Sequence, residues 1–236
     1  MDQEQLHIDL KAPKGWDEVT KEQLSVIASL MNEQLSREEM LFVMFCRFTG
    51  ILHEGNGVFL TSDKHRIRIE TWQLDDFCNR LAFVLDEMPC DIVNPTRVNS
   101  YLDDITFGDY FHADALLYGF RMKGDPDMVR KALDDLGDHR RGVTRQFANE
   151  VLLWWTGVQQ WLKSQYPLVF EDNGGSSEAY DPLKARQNIM LMLNNDNPQD
   201  NERIEKSKMH DVLSALQNKI EHAKQLEEEM RKHGRR

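Results

Sequence analysis

Cysteine is scarce in this chain. Cys46, Cys78 and Cys90 form an odd set with no C-x-x-C pair, which argues against a disulfide framework or a cysteine-based zinc site and for reduced, partly buried thiols. Long apolar runs are missing as well. Met40–Cys46 and Val151–Trp155 are the longest, far short of the roughly 20 residues that span a bilayer. The opening MDQEQLHIDLKAPKGW has no basic segment followed by an apolar one, so no secretory signal is expected and a cytoplasmic location is. Positive charge is the third deficit. A formal net charge of −11 repels phosphate backbones and anionic bilayers, so neither nucleic acid nor membrane is an expected partner.

Dense apolar periodicity is what the chain does have. From Val143 to Phe170, Phe147, Val151, Trp155, Val158 and Leu162 recur three to four apart, and Leu152, Leu153 and Trp154 widen that stripe beyond a surface helix's usual share. With three of the five tryptophans, this stretch predicts a central core helix. Stacking of Trp154, Trp155 and Trp161 on a planar ligand is the competing reading, but aromatics at helical spacing are ordinarily core.

The fold class expected is mainly α: a multi-helix globular domain with one small β-hairpin, followed by a linker and a C-terminal helical hairpin. Residues 1–19 read as an N-terminal arm, in which Leu6, Ile8 and Leu10 alternate as in a short strand. The core domain is placed at 20–170. Thr20–Gln23 and Ser36–Glu39 are capping-box patterns opening two helices. A β-hairpin is expected near 58–69 around Ser62-Asp63-Lys64, bent by Gly55-Asn56-Gly57. Thr71 is expected to cap the next helix, with Phe77, Leu81, Val84 and Leu85 inward. Val98, Tyr101, Leu102 and Ile105 suggest another helical segment, Phe107–Met122 a further one, and Asp125-Pro126 to Gly137 one more.

Residues 171–181, EDNGGSSEAYD, read as a linker, and 182–236 as a helical appendage, so that deleting 171–236 is expected to leave a folded core. Asp181-Pro182 opens a short helix, and Asn197-Pro198 a longer one running to about His233. In the latter Met209, Val212, Leu216, Ile220, Ala223, Leu226 and Met230 approximate an a/d seam, expected to pack within the chain, on a partner helix or on another subunit.

No stretch reaches a catalytic or cofactor motif, so no cofactor is expected. His112, Asp109 and Asp114 are the nearest approach to a metal-dependent or hydrolytic site, yet His112 and Asp114 would point about 200° apart on a helix. His53-Glu54 with His65 has no third orienting group. Ser176-Ser177 after two glycines lacks the strand and helix of a nucleophile elbow.

Asn94-Pro95-Thr96, Phe107-Gly108-Asp109-Tyr110-Phe111-His112-Ala113-Asp114 and the segment beginning Asn188-Ile189-Met190 resemble pieces of proteins encoded in the tail modules of Bacteroides-type prophages, beside the tape-measure gene. The resemblance covers most of the chain from Val19 onward and carries no functional residue across. It implies a role in tail assembly, as a chaperone holding a helix-rich tape-measure protein soluble. A structural virion component at the head-to-tail connection is the alternative in the same class. An enzyme using His112, Asp109 and Asp114 is the alternative in another.

Overall fold

The computed structural model describes residues 12–31, 33, 35–54, 57–62, 65–170, 181–194 and 197–233; the side chains of 52–62, 65, 66 and 233 fall outside that description. The expected strand at Leu6, Ile8 and Leu10, most of the 171–181 linker and the turn at Asp63-Lys64 also lie outside the described residues. The chain packs as two units, divided between Met88 and Pro89. This differs from the boundary expected at 171–181, and the reason lies in the second unit, described below.

In the first unit, Trp16–Glu18 forms a 3₁₀ turn, followed by α1 (Lys21–Leu30) and α2 (Arg37–Thr49). Both expected capping boxes are present: Thr20 Oγ1 accepts from Gln23 N while Gln23 Oε1 accepts from Thr20 N, and Ser36 and Glu39 repeat the exchange. Each box satisfies two helix-end amides that would otherwise lack an intrahelical acceptor. Gly50 ends α2 at φ +68°, a left-handed conformation that costs glycine little.

Then come β1 (Leu52–Glu54), β2 (Gly57–Ser62) and β3 (His65–Ile69), an antiparallel sheet in the order β1-β2-β3. The expected hairpin is its second half, with Val58 opposite Ile69 and Leu60 opposite Ile67. Strand β1 adds a third member, with Leu52 in register with Phe59.

Helix α3 (Thr71–Arg80) is followed by the single turn α4 (Phe83–Asp86). Glu70, not Thr71, is the N-cap residue, and its amide donates to Gln73 Oε1 at 3.0 Å. Ile27, Ala28, Met44, Phe45, Leu81 and Val84 are fully buried. Phe45 meets Phe77 at 5.2 Å between ring centroids.

The second unit begins with irregular chain. The helical segment expected through Val98, Tyr101, Leu102 and Ile105 does not form. Asn94 diverts the backbone: its Oδ1 accepts from the Thr96 amide and hydroxyl, and its Nδ2 donates to the Val98 carbonyl and Ser100 Oγ. Such side-chain bonds offer local backbone groups an alternative to helix. Leu102 then adopts φ +57° while fully buried.

Regular helix resumes with α5 (Phe107–Lys123), α6 (Pro126–Asp135) and α7 (Arg145–Gln165). Thr106, Asp125 and Thr144 supply their N-cap oxygens. Helix α7 is the expected core helix, with Val151, Trp154, Val158 and Leu162 wholly buried and Trp155 nearly so. Trp161 is only half-buried. Its ring stacks obliquely on Tyr101 at 4.9 Å.

Helix α8 (Pro182–Leu193) starts at its Asp181 cap, as expected. The single long helix expected after Pro198 is instead three pieces: a 3₁₀ turn at Pro198–Asp200, α9 (Asn201–Lys206) and α10 (Met209–His233). Ser207 is extended, at φ −73° and ψ 153°. The Phe107 amide donates to the Ser207 carbonyl and the Met209 amide to the Ile105 carbonyl, both at 2.9 Å. These two bonds form a bridge between Thr106 and Lys208, and a backbone engaged sideways cannot also continue a helix ladder.

That bridge explains the displaced boundary. Helices α8, α9 and α10 all pack on α5, and Ile189, Ile204, Met209, Leu213 and Leu216 are buried there. The C-terminal helices therefore complete the core of the second unit rather than forming a separable appendage.

Candidate interaction surface

Helix α10 is anchored at one end. His210 Nε2 lies 2.7 Å from the Tyr101 carbonyl, and its Nδ1 lies 2.8 Å from Tyr166 Oη. A carbonyl only accepts, so Nε2 carries the proton, and in the neutral ring Nδ1 accepts from the tyrosine. The Trp161 ring meets the imidazole edge-on at 5.6 Å. Further along, Lys219 Nζ donates to the Met192 carbonyl at the end of α8.

The predicted seam divides at this point. Met209, Val212 and Leu216 are buried in the unit's own core, together with Leu213, which the heptad reading left out. Ile220 is half-buried and Ala223 exposed. Leu226 is 42% exposed and Met230 68%. From Asn218 to Lys232 no residue is buried, so the later seam positions form an apolar stripe open to solvent on a helix of about four turns.

Leu191 and Met192 extend this surface. Both are exposed, and the bond from Lys219 to Met192 sets them beside the start of the open stripe. Ile189 and Met190 are the buried pair of α8. Adjacent buried positions at the end of a short helix leave no clean period to read.

The alternative constellation of His112, Asp109 and Asp114 does not assemble. Asp114 is 2% exposed and turns into the core, where its Oδ1 accepts from Trp155 Nε1 at 2.7 Å and Gln159 Nε2 at 2.8 Å. His112 turns outward, its Nδ1 2.7 Å from Asp135 Oδ2 of α6. Burial pushes the Asp135 carboxyl up, and the neighbouring His112 opposes that shift. Asp109 accepts from Thr106 Oγ1 at 2.6 Å. The 200° separation expected on a helix is what places the two groups on opposite sides.

No group of three or more metal-ligating side chains gathers among the described residues. The side chains of His53 and His65, and the Ser176-Ser177 tract, lie outside those residues. Burial raises the thiols of Cys46, Cys78 and Cys90, which leaves them poorly ionised. No helix among the described residues is long and apolar enough to cross a membrane. No family model, curated protein or solved structure matches this chain.

Proposed function

We propose that this chain is a non-enzymatic helical interaction protein that captures an amphipathic helix of a protein partner on the open half of α10. The observation that carries this reading is the division of one continuous seam into a buried half and an exposed half. Helices this short are marginal in water without a covered face. A stripe with three- to four-residue spacing is complementary to another helix's stripe.

The charges along the free segment favour a helix over a polyion as occupant. Between Asn218 and Lys232, Glu221, Glu227, Glu228 and Glu229 balance Lys219, Lys224, Arg231 and Lys232. In a chain of net charge −11, this balance leaves apolar matching, with flanking ion pairs of either sign, to select the partner.

The resemblance to prophage tail-module proteins directs the choice of partner. A tape-measure protein is long and helix-rich, and it needs its apolar stripes masked until the tail tube forms around it. A chaperone offering a short open stripe on a firmly seated helix suits that task.

Co-expression with the tape-measure protein of the same tail module tests this proposal. The wild-type chain is expected to co-purify with it, whereas Leu226→Asp/Met230→Asp is expected to stay folded and lose the partner. Equal recovery by both would assign capture to another surface. Absence of the chain from purified particles distinguishes a chaperone from a virion connector.

A further inference from the structure

The loop between α6 and α7, with the first residue of α7, reads GDHRRGVTR and holds a local excess of positive charge in an otherwise acidic chain. It borders a hollow of about 500 Å³ lined by Arg97, Gly137, Asp138, His139, Arg140, Arg141 and Gly142. Three arginines against one aspartate leave that lining at +2 with His139 neutral.

The hollow has a built floor. Asp138 is 4% exposed, and its Oδ2 accepts from the Arg97 amide at 3.1 Å and from Arg140 Nε and Nη2 at 3.2 and 2.5 Å. The Arg140 guanidinium also lies 4.0 Å above the Phe147 ring. Held by a carboxylate on one edge and an aromatic face below, Arg140 has lost its rotamer freedom before any ligand arrives. The Arg97 and Arg141 side chains are exposed; the Arg97 charge acts on Asp138, whereas Arg141 forms no ion pair among the described residues. Asp134 lies 3.5 Å from His139 and is bonded to Arg130 of its own helix.

The hollow beside His112 provides a contrast. Its charged groups are paired with one another or with neighbours, as Arg186 is with Glu205 and His112 with Asp135. The Arg97–Arg141 hollow differs in carrying a net charge of one sign, three arginines against Asp138.

We infer that this hollow binds a small phosphate-bearing anion, with Arg97 and Arg141 supplying the charge-assisted hydrogen bonds and Arg140 a preset edge. A guanidinium matches two phosphate oxygens at once. Ligand size follows from screening. At physiological salt a charge is felt over about 8 Å, so a small anion in the hollow meets the local +2, whereas a long polyanion also meets the rest of an acidic surface.

Titration calorimetry of the full chain with inorganic pyrophosphate at physiological ionic strength tests this inference. Saturable one-to-one binding is expected, weakened tenfold or more in Arg97→Gln/Arg141→Gln. Both positions are exposed, and an unchanged thermal melt would verify the fold. In a second variant, Lys123→Gln/Lys163→Gln, which removes two exposed charges outside the lining, binding is expected to stay within twofold of wild type. The inference is overturned if the wild-type chain shows no saturation, if both double variants lose binding alike, or if a short DNA duplex binds more tightly than pyrophosphate.

Discussion

Trp155 donates its indole N–H to the carboxylate of Asp114, 41 residues earlier, across 2.7 Å of buried space. Gln159, one turn further along α7, donates to the same oxygen. A carboxylate this enclosed persists only where donors replace its water. The pair thereby fixes the register of α7 against α5, the helix on which the C-terminal helices also rest.

Trp155→Phe keeps an aromatic body but removes the donor. A hydrogen bond to a charged group is worth about 1.5–3 kcal/mol, and a loss of that order is expected from urea denaturation. Asp114→Asn retains an accepting oxygen and is expected to cost less than Asp114→Ala. Near-equal stability of the Trp155→Phe and wild-type chains would refute the assignment.

Truncation separates the two halves of α10. A chain ending at Gln217 keeps Met209, Val212, Leu213 and Leu216 and is expected to retain a cooperative melt. Removing 182–236 strips those buried residues from α5, each worth about 2–5 kcal/mol by the usual large-to-alanine scale, and is expected to unfold the second unit. Circular dichroism melts of the two truncations decide this.

Acid is expected to weaken the α6–α7 loop. Burial pushes the Asp138 carboxyl up, but hydrogen bonds from Arg140 and the Arg97 amide outweigh it and hold the group below its ordinary range. A carboxyl lowered by folding stabilises above its unfolded pKa, and that contribution disappears as pH falls through the folded value. The acid limb of stability, below about pH 4, is therefore expected to be shallower in Asp138→Asn than in wild type. Identical limbs would contradict the assigned cause.

Two glycines in that loop make a matched pair. Neither Gly137 nor Gly142 would meet an atom within 4 Å on gaining a Cβ, but Gly137 has φ +86°. Gly137→Ala is expected to cost about 1–2 kcal/mol, the penalty of a left-handed conformation in an L-residue. Gly142→Ala is expected to be close to neutral. Denaturant midpoints of the two variants provide the comparison.

Helix starts are legible in the sequence where the capping device is local. Thr20 with Gln23, Ser36 with Glu39, Asp125-Pro126 and Asp181-Pro182 announced helix starts that the structure places there, because each device is complete within four residues. The crowding of apolar side chains around Trp154 and Trp155 likewise marked a buried helix. Long-range backbone chemistry left no such trace. Nothing in Ser207-Lys208 foretells its bridge to Thr106, yet that bridge breaks the last helix and seats α10 in the second unit. Asn94 undid an apparent helical period with side-chain bonds that periodicity does not register.

The candidate surface was legible as a stripe but not as an exposed one. Spacing from Met209 to Met230 states that one face is apolar; only the packing of α5 and α8 decides which turns of it are covered. The Arg97–Arg141 hollow was missed because Arg97 stands far from the loop in sequence, and the −11 total concealed a local reversal of sign.

Amide hydrogen exchange along α10 tests the central claim most directly. In the isolated chain, residues 209–217 are expected to exchange at the slow rate of the α7 core and residues 220–233 orders of magnitude faster, with the fast segment becoming protected on addition of the tape-measure partner. Uniform slow exchange along the whole helix in the isolated chain, or fast exchange of 220–233 that persists in the complex, would contradict the account.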